Sequence, residues 1–195
     1  MSSDADAKPQ RFKPLHESDM NAEQLAAARE LISGPRGKMN PVGPNALLLR
    51  SPGLMSRTQK VGEYLRYHSS LPARLNEFAI LITARQWNAQ VEWLAHQPLA
   101  LKAGFDPAVA ADLVLGKHPA GMKDDEAAVY QFCKELHETK AVSDATFNAT
   151  VAIFGERGVI DLIGLSGYYA MLAMVLNVGQ QPLPGGAAPP LPVLK

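Results

Sequence analysis

Cysteine is almost absent from this chain: Cys133 is the one thiol in 195 residues. Without a second thiol there can be no internal disulfide and no intrachain dithiol pair, which fits a reducing compartment. Net charge is absent too, because 19 basic residues balance 19 acidic ones and no basic block disturbs the balance. Neither nucleic acid nor an anionic membrane surface is therefore an expected partner. The chain also lacks an alternating strand pattern, a glycine-rich phosphate loop, a serine nucleophile motif and any His/Cys/Asp/Glu cluster with metal-ligand spacing. The expectation is an all-α protein that uses no metal and no cofactor. Met1 to Gln10 is polar, with Asp4 and Asp6, and has neither the basic start nor the apolar core of a secretory signal. A cytoplasmic location is the corresponding expectation.

What the chain does contain is enough apolar residue, 47% of the total, for one domain whose core can enclose a pocket. Residues 1–10 read as a disordered tail, 11–180 as a single helical domain and 181–195 as a proline-rich tail. The tail, from Pro182 to Pro192, cannot propagate helix or sheet, and either runs free or straps across a neighbouring subunit. A charged share of only 19% suits a surface partly covered by a partner subunit.

Helical spacing marks residues 21–32, with Asp19 as cap and Ser33-Gly34-Pro35 as stop, and again 54–67. Between them, 34–52 is rich in Gly and Pro and reads as an irregular loop. Pro72 suits the first turn of a helix whose Leu75 to Ala84 run is apolar all round, hence buried. Asp106-Pro107 opens a helix closing near Leu115-Gly116, and 124–139 is amphipathic. Ser143 caps a helix ended by Gly155, and a long one follows from about Gly158 to Asn177. Val159 to Val178 is long enough to cross a bilayer. Its Asp161, Asn177, Gly164 and Gly167, without a positive flank, fit a buried core helix better.

Chemistry concentrates between Glu77 and His96. Glu92 and His96 stand four apart, on one helix face and one turn apart, where a carboxylate can orient the ring and fix its tautomer. Glu77 lies among Phe78, Ala79, Ile80, Leu81 and Ile82, where no face is convincingly wet. It is either a helix-start carboxylate favoured by the dipole or a functional one. Trp87 and Trp93 suit a pocket wall or the core equally in chemistry, and the core is the commoner use. Tyr168, Tyr169 and Asn177 put polar tips on the long helix, and Cys133 sits among inward residues of an amphipathic one.

The pattern Glu77…Trp87-Asn88-Ala89-Gln90-Val91-Glu92-Trp93-Leu94-Ala95-His96…Ala103-Gly104-Phe105 resembles the carboxymuconolactone decarboxylase family, within the AhpD-like all-helical superfamily. The later Glu156-Arg157-Gly158-Val159-Ile160-Asp161-Leu162-Ile163-Gly164…Tyr168-Tyr169…Asn177 run supports it, and together the likeness spans about 11–180. Resemblance implies a helical bundle assembled as a trimer or hexamer, with active sites near subunit interfaces. The superfamily's peroxidase branch uses Cys-x-x-Cys, a following histidine and an upstream glutamate. Glu77 and His96 match the latter two, while Ala89 and Glu92 stand at the cysteine positions. A dithiol peroxidase reaction is excluded by that substitution.

The resemblance implies a lyase acting on a small carboxylated lactone. Loss of CO2 leaves a dienolate that needs an oxyanion stabiliser and a proton at carbon. On this reading His96 donates the proton, Glu77 and Glu92 orient or recharge it, and Arg85, Trp93 and Tyr168 contact the substrate. Two alternatives remain: a non-catalytic helical oligomer binding a small ligand or protein, and a redox role for Cys133.

Overall fold

In the computed structural model, residues 10–40 and 43–194 are described, so the tail at 1–10 that reads as disordered lies outside them except for Gln10, whose Nε2 donates to Gln181 Oε1 at 2.9 Å. Eight helices and no strand occur among the described residues: α1 (Ala22–Ser33), α2 (Pro44–Leu48), α3 (Pro52–Tyr67), α4 (Ala73–Gln86), α5 (Gln90–Lys102), α6 (Pro107–Val114), α7 (Asp124–Thr139) and α8 (Asp144–Gly179). The all-α expectation is met.

Helix α4 is the axis of the bundle. It packs on α5, α7 and α8 and touches α3 and α6. Every residue from Leu75 to Arg85 except Glu77 is buried, as an apolar run with no wet face requires. Helix α8 closes the core against α4, α7, α2 and α3. It is long and apolar enough to cross a membrane, yet 61% of its most apolar window is buried inside the protein. Its residues Leu162, Leu165, Tyr169 and Ala173 pack in the core cluster with Phe78 and Trp93.

Local signals place most helix ends. Asp106 accepts from the Ala108 amide and Pro107 takes the first turn of α6. Ser143 accepts from the Thr146 amide at the start of α8. The break at Gly155, with φ 68° and ψ 174°, falls where the sequence stops one helix and starts another. Three expectations need correction. Asn21, not Asp19, caps α1, in a reciprocal pair with Gln24. The Gly/Pro-rich 34–52 stretch contains α2, because Pro44 starts a turn that buries Leu47 and Leu48. The proline-rich tail does not run wholly free: Leu191 is buried on the chain's own body.

Two polar ties hold the helices in register. Arg74 of α4 pairs with Asp125 at 2.6 Å and with the buried Glu126, both in the first turn of α7. Asp161 of α8 accepts from the Ser70 amide and hydroxyl, each at 2.7 Å, and from the Tyr64 hydroxyl at 3.1 Å. That buried carboxylate pins the α3–α4 turn to α8.

Candidate functional site

Glu77 is the one interior-facing break in the buried run of α4, and the turn after that helix decides what it meets. Asn88 adopts a left-handed conformation, φ 49°, and reverses the chain so that α5 packs back along α4. His96 Nδ1 then lies 2.7 Å from Glu77 Oε2. A carboxylate oxygen there is an acceptor, so Nδ1 carries the proton and Nε2 is left to exchange one. Helical spacing pointed to Glu92 and the family resemblance to Glu77; the ring takes Glu77, on the neighbouring helix. His96 is 8% exposed, and its ring stands edge-on to Tyr169 with centroids 5.0 Å apart.

Glu92 is also buried, 4% exposed, and its Oε2 has no hydrogen-bond partner. Burial pushes its carboxyl well above the ordinary glutamate range. Burial of this kind favours the protonated form, which can donate a hydrogen bond or a proton. Tyr169 is held neutral as well: burial raises its phenol strongly, Arg66 opposes, and Glu77, Tyr168 and Glu92 add to the rise. The same interactions show that both carboxyls and the paired tyrosines share one electrostatic neighbourhood.

Tyr168 meets Tyr169 edge-on at 5.3 Å, and its hydroxyl bonds to Arg36. A Cβ at Gly62 would collide with that hydroxyl and with the Arg36 guanidinium, so glycine on α3 is what admits both groups. Arg36 keeps a buried Nε without an acceptor. Sequence reading did not single out Arg36 or Arg66; both lie far from the Glu77–His96 block, and only packing of the α1–α2 connection and α3 brings them in.

Of the residues expected at the site, Glu77, Glu92, His96 and Tyr168 converge. Trp93 is fully buried in the core, its Nε1 donating to Gln97 Oε1 at 3.1 Å. Arg85 is carried to the far end of α4, where it donates to Asn88 Oδ1 and to the Pro192 carbonyl, each at 3.0 Å. Cys133 is fully buried, its thiol pushed up to about 12 by burial although a contact with Ser166 lowers it. Such a thiol is a packing group rather than a nucleophile.

The fold and the cluster define a helical protein with a dry acid–imidazole centre. No protein-family model matches the chain, and no curated protein sequence matches it significantly.

Proposed function

We propose that the protein is a cofactor-free lyase resembling carboxymuconolactone decarboxylase, removing CO2 from a small carboxylated lactone or related acid by general acid/base catalysis. The observation that carries this reading is the Glu77–His96 pair at 2.7 Å, beside the buried Glu92, whose Oε2 has no hydrogen-bond partner. In the reaction the bond from ring carbon to carboxylate breaks and CO2 leaves. The electron pair moves into the lactone carbonyl as a dienolate, whose oxygen accepts from the Glu92 carboxylic acid. Doubly protonated His96, with Glu77 as counter-ion, delivers a proton from Nε2 to carbon, and water restores it after product leaves. Arg36, with its unused Nε, takes the place first assigned to Arg85 as anchor for the substrate carboxylate.

An apolar stripe on α8 supports the homo-oligomer, trimer or hexamer, in which this centre would work. Ile160 (65% exposed), Ile163, Met174 and Val178 lie on one helical face with the open Gly167 between them. The same stripe favours the second reading, a non-catalytic oligomer that binds a ligand or partner. In either reading the cytoplasm is the expected compartment. Purified protein incubated with 4-carboxymuconolactone is expected to release CO2, with His96→Ala slowing turnover by roughly 100-fold or more. A well-folded wild type inert toward a panel of carboxylated lactones would remove the lyase reading and leave the second.

A further inference from the structure

Away from the acid–imidazole centre, the C-terminal segment borders a second cavity. Leu191 is clamped to α5 through both backbone groups: its amide donates to Gln90 Oε1 at 2.9 Å, and its carbonyl accepts from Gln90 Nε2 at 2.8 Å. Beyond it, Val193 and Leu194 roof a cavity of about 400 Å³ over the ends of α4, α6 and α7. That volume is at the small end of ligand pockets. Neither Glu77, Glu92 nor His96 lines it.

The lining is lopsided in charge. Among the described residues, Arg85, Lys117 and Lys134 face it, against the single carboxylate of Glu138. Arg85 is 8% exposed and forms no ion pair among the described residues. Its Nη1 and Nη2 donate to neutral oxygens, of Asn88 and Pro192, and its buried Nε finds no acceptor. A buried guanidinium with only neutral partners, and with an idle N–H, is an uncompensated cost. The opposite wall is apolar: Ile82, Leu113 and Leu194, with the Tyr130 ring.

We propose that this cavity binds a small organic carboxylate with an apolar body. The carboxylate takes the Nε–Nη2 edge of Arg85 in a two-pronged bond, with Lys117 and Lys134 adding long-range attraction. One oxygen of the ligand then stands where the Pro192 carbonyl stands, so binding detaches Pro192 while the Gln90 clamp keeps the strap attached. The apolar body lies on Ile82, Leu113 and Leu194. Nothing in this site depends on the lyase reading.

The test is calorimetric titration of the full chain with 3-phenylpropionate, its uncharged amide and acetate. Expected are saturable binding of 3-phenylpropionate below about 10 mM, and binding at least tenfold weaker for the amide and for acetate. The Lys117→Ala/Lys134→Ala double variant should weaken binding roughly threefold or more, and Glu138→Gln should tighten it. All three positions are solvent-exposed, so these variants are expected to fold. His96→Ala should bind like wild type. In a nitrogen-15 spectrum, the Arg85 Nε–H resonance should shift with the acid and not with the amide. The proposal is overturned if no saturable binding occurs. It is equally overturned if acid and amide bind alike, if the charge variants leave affinity unchanged, or if His96→Ala abolishes binding.

Discussion

Replacing Glu92 by glutamine gives a stability change whose sign depends on pH. Burial raises the Glu92 carboxyl in the folded chain, whereas in the unfolded chain it titrates normally, near pH 4.3. Below that pH both states carry the proton and the group costs nothing. Above it the unfolded chain ionises while the folded chain must hold its proton or bury a charge, so stability falls as pH rises. The slope is up to about 1.4 kcal/mol per pH unit until the folded carboxyl itself ionises. Glutamine keeps the shape and removes the titration. Glu92→Gln should therefore lie within about 1 kcal/mol of wild type at pH 4 and become progressively the more stable of the two as pH rises above the unfolded value. Urea unfolding followed by the fluorescence of Trp87 and Trp93, one in the α4–α5 turn and one on α5, measures this directly. A difference between the two proteins that stays constant from pH 5 to 8 would refute the dry, proton-bearing assignment of Glu92.

Asp161 should behave in the opposite sense. Burial alone would raise its carboxyl, but hydrogen bonds from Ser70 and Tyr64 and the charge of Arg157 outweigh that and hold it below the ordinary aspartate range. Its stabilisation is present above the unfolded value, near pH 3.9, and is lost as pH falls through the folded one. Asp161→Asn should cost about 1–3 kcal/mol at pH 7 and progressively less as pH falls below the unfolded value, read from the same urea curves. Gly62→Ala gains about 1 kcal/mol of helix propensity but pushes a methyl into Tyr168 and Arg36, costing about 1–3 kcal/mol. A net loss of melting temperature is expected, and a net gain would contradict the packing described for Tyr168. Cys133 should resist iodoacetamide in the native protein and react only in denaturant, as mass spectrometry would show.

The helices were readable because their signals are local. Asp106-Pro107 and Ser143 cap through their own side chains, and the apolar run of α4 has one stable environment, the interior. The short helix α2 escaped because its turn is held by burial of Leu47 and Leu48 rather than by periodicity over several turns. At the site, the residue types were legible, but spacing alone did not choose between two partners for His96. Spacing along α5 paired His96 with Glu92, although the left-handed turn at Asn88 sets its reach across to Glu77.

Composition and periodicity by themselves determined an all-helical chain with a buried central helix, and singled out two acids and an imidazole worth explaining. Those features follow from hydrophobic spacing and caps, which act within a few residues of each other. Only the tertiary structure decided that Glu77, rather than Glu92, holds the His96 ring, and that Arg36 joins the cluster while Arg85 leaves it. It also decided that the proline-rich tail seats on its own body. Each of these joins segments distant in sequence, and such contacts are set by how whole helices pack.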